Sequence, residues 1–212
     1  MKKIKYSEIT PEKIYNNRRT FVKSIGFGAS SLAISSLPFL NNAIGSEQNN
    51  LTSYKDITTY NNYYEFGTSK GDPYKNSQNF KTKPWEISIE GEVDKPIKLS
   101  MEEISKSFLS EERIYRLRCV EGWSMVIPWM GFSLNKLLSK VNPNSKAKFV
   151  AFESVYDPEQ MKGQRYPVLN WPYKEGLRID EAMHPLTTVV TGLYNKELPN
   201  QNGAPLRIFI PW

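Results

Sequence analysis

Cys119 is the one cysteine in this chain of 212 residues, and its setting allows three kinds of chemistry. It lies in the run Ile114–Trp123, directly between Arg118 and Val120. Because no second cysteine is available, Cys119 cannot close a disulfide within its own chain, so it is a free thiol, a link to another chain or a metal ligand. A small buried hydrophobe is the plain alternative, since free cysteine is among the most buried residue types.

A hydrolytic use of Cys119 would need a partner base, and the single histidine is His184. His184 stands directly before Pro185, a setting more typical of a structural turn residue. Zinc sites draw on several cysteines and histidines, and one of each does not complete a usual set. Neither the glycine motif of nicotinamide-binding domains nor that of P-loop enzymes occurs in the chain. The remaining chemical use of a lone thiolate is as a ligand to a soft metal whose other ligands come from a cofactor.

The strand that must position Cys119 is indicated by alternation. Residues 114–120 alternate in polarity, which predicts a strand with Arg116 and Arg118 on the face opposite Cys119. The arginines would then point away from the sulfur unless the backbone bends, and the sequence Glu121–Trp123 permits such a bend. We therefore assign the two arginines no part in activating the thiol.

The patterning of the remaining residues predicts a mixed α+β domain with irregular loops. Further strands are predicted at 85–90, 149–152, 187–193 and 206–210, the second of them as a buried strand. Predicted helices begin at polar caps and run from Ser100 to about Phe108, from Ser133 through Val141, and over Glu181–His184 after Asp180. Strands outnumber the short, scattered helices, which argues against a doubly wound sheet.

Two segments are predicted to lack regular structure. Residues 46–62 are rich in Asn, Ser and Thr and are typical of a leader arm, while residues 66–84 contain several Gly and Pro and predict a long loop. The chain stops in the apolar run Ile208–Trp212, as if inside a strand. We therefore expect the sequence to be a fragment that lacks its C-terminal part.

Residues 1–45 have the order of an export signal: a charged region, an apolar region over 25–40 and small residues before Ser46. Arg18-Arg19 followed by an aromatic residue and a lysine indicates the twin-arginine class. The apolar stretch is short and serine-rich for a membrane anchor, which needs about 20 mostly apolar residues. We predict a signal peptide over 1–45, a mature domain over 46–212 and a periplasmic destination. Because this route carries folded cargo, it also hints at a cofactor enzyme.

The positive charge of the chain lies mostly in the predicted signal. The net charge is +6, and residues 1–45 contain seven Lys or Arg and two Glu. Residues 46–212 hold 21 basic and 20 acidic side chains. No row of cations remains to neutralise phosphates, so we expect no nucleic acid among the partners.

Residues 118–123, Arg-Cys-Val-Glu-Gly-Trp, resemble the cysteine motif of the sulfite oxidase superfamily, in which a single cysteine binds molybdenum beside a molybdopterin. Further stretches narrow this resemblance to the catalytic subunits of periplasmic protein-methionine-sulfoxide reductases. These stretches are residues 60–67, 156–161, 180–186 and 201–207. The similarity covers about residues 52–212, and the five motifs occur in the family's order.

The resemblance implies a sulfite-oxidase-type domain that binds a molybdenum–molybdopterin cofactor. Cys119 matches the metal ligand, and Glu121 is a candidate catalytic residue that tunes the centre or moves protons. The matched cofactor contacts are Asn61, Tyr64, Glu65, Ser154, Asn202 and Arg207. Ser154 stands where the family commonly has a threonine, and it keeps the hydroxyl. Arg207 suits the anionic phosphate end, because a guanidinium forms paired bonds to phosphate oxygens.

The implied reaction is the reduction of methionine sulfoxide residues in oxidised periplasmic proteins. The implied electron donor is a haem-containing membrane subunit fed by the quinone pool. Two alternatives stay open: a reductase of the same fold acting on small S-oxides or N-oxides, and a cofactor-free remnant or binding domain. A sulfite-oxidising enzyme would need several cations around the metal, and we identify no such set.

Overall fold

The computed structural model describes residues 51–211, so the predicted signal peptide at 1–45 lies outside the described residues. The strands are β1 (Glu86–Ile89), β2 (Ile97–Ser100), β3 (Glu111–Arg118), β4 (Ser124–Ser133), β5 (Phe149–Glu153), β6 (Lys174–Arg178), β7 (Thr188–Leu193), β8 (Lys196–Glu197) and β9 (Arg207–Phe209). The α-helices are α1 (Tyr54–Thr59), α2 (Asp72–Asn76), α3 (Met101–Ser107), α4 (Leu134–Val141) and α5 (Ile179–Ala182). Short 3-10 helices span Tyr64–Phe66, Lys162–Arg165 and Asn200–Asn202.

The largest sheet has five antiparallel strands, and Cys119 lies in the turn between two of them. Its strands are ordered β3-β4-β7-β8, and β9 also pairs with β7. The hairpin of β3 and β4 has a register that runs from Glu111 opposite Gly131 to Arg118 opposite Ser124. This register leaves residues 119–123 as the connecting turn, so Cys119 is the first residue after β3. The other strands form two two-stranded sheets, β1–β2 and β5–β6.

Two hydrophobic clusters involve the strands of this sheet. One contains Ile104, Phe108 and Phe132, and the rings of Phe108 and Phe132 are stacked with centroids 4.4 Å apart. The other contains Trp129 and Phe209, whose ring centroids are 5.4 Å apart. Full burial of one large apolar side chain stabilises by about 1.5–3 kcal/mol, so these clusters hold β4, β7 and β9 firmly together.

Local signals account for helices α3 and α4, which are confirmed close to their predicted bounds. The Ser100 hydroxyl accepts a hydrogen bond from the Glu103 amide at 3.2 Å, and the Glu103 carboxylate accepts from the Ser100 amide at 2.8 Å. These two reciprocal hydrogen bonds form a capping box at the predicted start of the helix. Ser133 precedes α4 but does not cap it with its side chain: its hydroxyl donates to the carbonyl of Pro185 at 2.6 Å and accepts from Arg113 at 2.9 Å.

The predicted faces of β3 are confirmed. Arg116 and Arg118 are exposed and Val120 is fully exposed, whereas Leu117 packs against the second hydrophobic cluster. The strand begins at Glu111, earlier than predicted, because its pairing with β4 extends that far. The two arginines therefore lie on the face opposite Leu117, and the strand ends at Arg118, two residues earlier than predicted, because the turn begins at Cys119.

Two predicted elements were wrong in detail. The strand at 149–152 is present, but Phe149 is 71% exposed, because β5 belongs to a two-stranded sheet with one face open. The helix predicted over Glu181–His184 is α5, which begins at Ile179. Its start moves because the Glu181 carboxylate accepts from the Arg178 amide at 2.9 Å, which makes Arg178 the N-cap.

The two segments predicted to be irregular each contain a helix. Helix α1 lies within 46–62, where the Ser53 hydroxyl caps it by accepting from the Asp56 amide at 3.1 Å. Helix α2 lies within 66–84, and Pro73 in its first turn favours that start. Mixed sheets with short helices confirm the predicted α+β class. Over residues 51–211, no helix has the length and apolar character that crossing a membrane requires.

Candidate functional site

The turn that follows β3 presents the cysteine thiol at the end of a hairpin. The Cys119 amide donates to the Trp123 carbonyl at 2.9 Å, and the Gly122 amide donates to the Cys119 carbonyl at 3.0 Å. Gly122 has a φ of +82°, a left-handed conformation that glycine adopts without strain. Cys119 itself is a free, partly exposed thiol. Backbone bonds therefore fix the turn while the sulfur stays accessible to a ligand.

An ion pair connects this turn to the loop that follows α1. Lys70 Nζ lies 2.9 Å from Glu121 Oε1 and donates to Asn62 Oδ1 at 2.7 Å. The same ammonium lies 5.6 Å from the centre of the Tyr64 ring. The backbone carbonyl of Lys70 accepts from the Asn61 amide at 2.9 Å. The structure thus brings Glu121 and Tyr64 to a common lysine, which joins two stretches that the sequence assigned to one site.

Two buried asparagines from distant parts of the chain meet at one carbonyl. The Nδ2 atoms of Asn61 and Asn202 donate to the Ile57 carbonyl at 3.1 and 3.0 Å. Both residues are buried, and the Oδ1 of each has no hydrogen-bond partner among the described residues. A buried acceptor without a partner costs about 1–3 kcal/mol. The pair therefore suits a ligand that donates hydrogen bonds.

Arg207 extends this pair into an asparagine–arginine cluster, made of Asn61, Asn202 and Arg207. Its Nη1 donates to the Asn202 carbonyl at 3.1 Å, and its guanidinium carbon lies 5.5 Å from the ring centre of Tyr63 and 5.4 Å from that of Trp129. The Nε of Arg207 and the Nε1 of Trp129 are buried without a partner in the described range. A guanidinium held against two aromatic rings is preorganised for binding an anion.

Tyr63 connects this cluster to Glu65. Loss of solvent raises the pKa of the Tyr63 phenol, the charge of Arg207 lowers it and the charge of Glu65 raises it. A Cβ atom added to Gly203 would lie 2.4 Å from the Tyr63 hydroxyl oxygen, so the Asn202-Gly203 turn packs closely on this ring. Tyr63 therefore stands within electrostatic reach of two predicted cofactor residues.

Ser154 lies on a different segment from the cluster. It is exposed, and its amide donates to the Tyr173 carbonyl at 2.9 Å. The hydrogen bond from Tyr173 to Glu175 does most to raise the pKa of Tyr173 to about 12, and the charge of Glu65 adds to this shift. Within residues 51–211, no hydrogen bond joins Ser154 to the asparagine–arginine cluster. The structure thus relates Ser154 to the site through the neighbouring Tyr173.

Glu65 is a buried carboxyl with 9% of its surface exposed, and burial raises its pKa. A raised pKa in the folded state means that burial of the charged form opposes folding. Folding therefore favours the protonated Glu65 carboxyl. The stability that this protonated form contributes is fully present below the unfolded-state pKa and is lost as the pH rises through the folded-state pKa.

We therefore expect Glu65→Gln to raise the free energy of unfolding of the cofactor-free protein at neutral pH. This gain should shrink as the pH falls towards about 4, where glutamate also binds protons in the unfolded chain. Urea unfolding at both pH values measures the effect, and Glu90→Gln, at an exposed carboxyl in the β1–β2 connection, is the matched control. A variant that is less stable than the unmodified protein at neutral pH would contradict the burial argument.

Gly163 allows the 3-10 helix Lys162–Arg165 to approach the loop that carries Tyr64 and Glu65. A Cβ atom built on Gly163 would lie 1.9 Å from the Tyr64 carbonyl oxygen and 2.7 Å from that of Glu65. Both neighbours are backbone atoms, which cannot rotate away as a side chain can. This glycine therefore sets the distance between the two segments.

Gly163→Ala is expected to lower the free energy of unfolding by about 1–3 kcal/mol, the usual range for overpacking. Gly176→Ala is the matched control, because the nearest atom to its Cβ would be 3.9 Å away in ordinary contact. The control should change stability by less than about 0.5 kcal/mol. Chemical denaturation of both variants checks the difference, and equal losses would show that the close approach is not what matters.

The class of protein follows from comparison with known families. Residues 74–212 match the family model described as an oxidoreductase molybdopterin binding domain. The chain belongs to this family of molybdopterin-binding oxidoreductases, which confirms the predicted fold type and cofactor at the level of the family. The solved structure of the sulfane dehydrogenase SoxCD from Paracoccus pantotrophus has a TM-score of 0.51, at 11% identity over 95% of this chain and 55% of that chain. It supports the same fold.

Curated relatives make the assignment more specific. All three named here are protein-methionine-sulfoxide reductase catalytic subunits, MsrP, so the predicted family resemblance is confirmed. The subunit from Xanthomonas axonopodis pv. citri is 50% identical over 97% of this chain and 68% of its own length. That from Xanthomonas campestris pv. campestris is 59% identical, over 76% and 50%, and that from Pseudomonas syringae pv. tomato is 46% identical, over 98% and 70%. This chain thus spans between 50% and 70% of their lengths.

The described residues fit the group that the family binds. The asparagine–arginine cluster offers buried acceptors, buried donors and one positive charge, and the hairpin turn offers a thiol. Sequence reasoning missed three residues that shape this site: Lys70, Tyr63 and Trp129. Tyr63 lies inside a motif that was noticed, whereas Lys70 stood among several loop lysines and Trp129 in a strand that was not predicted. Only the fold shows what these three residues contact.

Proposed function

We propose that this protein is a molybdenum-dependent reductase of methionine sulfoxide residues in oxidised periplasmic proteins. The observation that carries the proposal is the asparagine–arginine cluster, in which three residues matched to cofactor contacts meet and keep buried polar atoms that have no partner among residues 51–211. Identities of 46–59% to MsrP catalytic subunits support the choice of substrate.

Each predicted residue has a role in this proposal. The Cys119 sulfur binds the metal, and Asn61 and Asn202 accept hydrogen bonds from the pterin. Arg207 binds the phosphate through guanidinium nitrogens that the Tyr63 and Trp129 rings hold in place. Tyr64, Glu65 and Ser154 complete the cofactor contacts from adjoining segments. Glu121 lies two residues after Cys119 and forms an ion pair with Lys70.

When bound, the molybdenum–molybdopterin group supplies the two-electron chemistry that removes oxygen from a sulfoxide. Two electrons and two protons are consumed, the S–O bond breaks, the oxygen leaves as water and the thioether of methionine is released. The protein orients the group through the side chains of the cysteine turn and the asparagine–arginine cluster. The electrons come from a haem-containing membrane subunit supplied by quinones.

The export assignment belongs to the same proposal, since residues 1–45 have the order of a twin-arginine signal. We expect the double variant Arg18→Lys and Arg19→Lys to accumulate in the cytoplasm instead of the periplasm. Cell fractionation with an antibody to the mature domain measures this. A variant exported as well as the unmodified protein would exclude the twin-arginine route.

The substrate assignment is tested with two substrate classes and one electron source. Purified holoprotein is reduced with a viologen dye and offered an unfolded, peroxide-oxidised protein or small S-oxides and N-oxides. Mass spectrometry counts the methionine sulfoxide that remains in the protein. We expect kcat/KM to be highest for the oxidised protein. Preference for the small oxides would favour a small-molecule reductase of the same fold, and absence of any turnover by metal-loaded protein would overturn the proposal.

A further inference from the structure

We propose that Lys70 is a positioning residue that fixes the Cys119 turn against the loop holding the cofactor. The inference rests on the proposed function and adds a residue that neither the motifs nor the family resemblance singled out. Lys70 is argued to act through Glu121 and through its own backbone.

The contacts of Lys70 reach both halves of the site. Its ammonium donates to Glu121 Oε1 at 2.9 Å and to Asn62 Oδ1 at 2.7 Å, and lies over the Tyr64 ring. Its carbonyl accepts from the Asn61 amide at 2.9 Å. Two of the three ammonium donors are thus used, one on each side of the junction. One residue therefore spans 51 positions of sequence to link the turn and the loop.

The turn needs such a link, because its own hydrogen bonds act only within it. The bonds between Cys119, Gly122 and Trp123 fix the local shape of the turn, and Val120 is fully exposed at its tip. These bonds do not fix the distance from the sulfur to the loop around Asn61. A displacement of about 1 Å in a reacting group can lower a rate by about 100-fold. Hydrogen bonds between Thr52 and Val126 tie the base of the hairpin to the segment before α1, and the Lys70–Glu121 ion pair adds a direct constraint at the turn itself.

The partial burial of the pair distinguishes it from surface ion pairs of the same chain. The side chains of Lys70 and Glu121 are 31% and 28% exposed, whereas those of Lys174 and Glu153, 2.7 Å apart on the β5–β6 sheet, are 64% and 57% exposed. Exposed pairs hold side chains weakly because water and salt screen them. Lys174 therefore provides a control that loses an ion pair of similar length away from the turn.

Loss of the Lys70 charge should change the midpoint potential of the metal, whereas a purely structural role would leave that potential unchanged. Removal of the ammonium leaves the Glu121 carboxylate without its cation, two residues from the sulfur that binds the metal. Negative charge near a metal favours its oxidised state, so the midpoint potential of the molybdenum should fall. Arginine keeps the positive charge and can reach the same acceptors, so it should restore most of the effect.

The experiment compares full-length holoprotein with Lys70→Met, Lys70→Arg and Lys174→Met. Melting temperature checks folding, elemental analysis gives the molybdenum content, and a redox titration gives the midpoint potential. We expect Lys70→Met to lower kcat/KM for oxidised protein by about 10–100-fold, the range for residues that orient metal ligands, and to shift the potential negatively. Lys70→Arg should recover at least half of both changes, and Lys174→Met should match the unmodified protein.

An active, metal-loaded parent whose Lys70→Met variant keeps the parent potential and kcat/KM would overturn the role of Lys70 while leaving the proposed function intact. Failure of Lys70→Arg to recover either property would also overturn it. A parent that folds, contains no molybdenum and reduces no sulfoxide would instead overturn the proposed function, and the role of Lys70 would fall with it. These outcomes separate the two claims.

Discussion

Replacing Cys119 with serine is expected to lower sulfoxide-reducing activity by more than about 100-fold, because even residues that only orient metal ligands give losses of about 10–100-fold. The variant should stay folded. The turn is held by backbone bonds of Cys119 and Gly122 that a serine preserves, and the thiol is partly exposed instead of packed in the core. Steady-state kinetics with a reduced dye, together with the melting temperature, checks both statements.

The matched control for this variant is Val120→Ala at the next position. Val120 is fully exposed and contacts no predicted cofactor residue by a hydrogen bond in the described range. The activity of Val120→Ala should stay within about twofold of that of the parent protein, as expected for a surface change that removes no cofactor contact. A Cys119→Ser variant with a third or more of the parent activity would contradict the metal-ligand role.

The second large effect is expected at Arg207. Arg207→Met should weaken binding of the cofactor by about 10–100-fold, because one hydrogen bond to a charged group contributes about 1.5–3 kcal/mol. Methionine keeps much of the apolar stem of the side chain, so Tyr63 and Trp129 lose little packing. The cluster would lose its positive charge and the Nε donor that has no partner within the described residues. Reconstitution of cofactor-free protein with increasing molybdopterin measures the affinity.

The control here is Arg178→Met, which removes another guanidinium. Arg178 is exposed, and its Nε donates to Asp180 at 3.0 Å at the start of α5. The Arg178→Met variant should bind the cofactor as tightly as the parent protein does. Equal affinities for Arg207→Met and the parent would show that Arg207 does not bind the anionic end of the cofactor.

Elements set by neighbouring residues could be predicted from the sequence. The polar cap at Ser100 predicted helix α3, and the alternation through Leu117 predicted β3 with its two faces. These signals act over a few residues, so they do not depend on the rest of the fold. The same local reasoning failed at Phe149, since its apolar run predicts burial only if a second layer covers that face of the sheet.

The candidate residues came from motifs, but their arrangement did not. Asn61 and Asn202 are far apart in sequence, and their meeting at the Ile57 carbonyl depends on how the 3-10 helix Asn200–Asn202 packs against α1. The role of Gly163 depends on the backbone that it approaches, and one glycine among 12 carries no such signal in sequence. The ion pair between Lys70 and Glu121 is likewise a product of the fold. Long-range contacts of this kind follow from tertiary packing and produce no periodic pattern in the sequence.

The central claim is that Cys119 is the protein's ligand to molybdenum, and X-ray absorption at the molybdenum edge tests it most directly. Holoprotein from a host that makes molybdopterin is compared with Cys119→Ser prepared in the same way. The claim predicts near-stoichiometric molybdenum in the parent and one fewer sulfur neighbour per metal in the variant. An identical sulfur shell in both proteins, or a folded parent that carries no molybdenum, would contradict it.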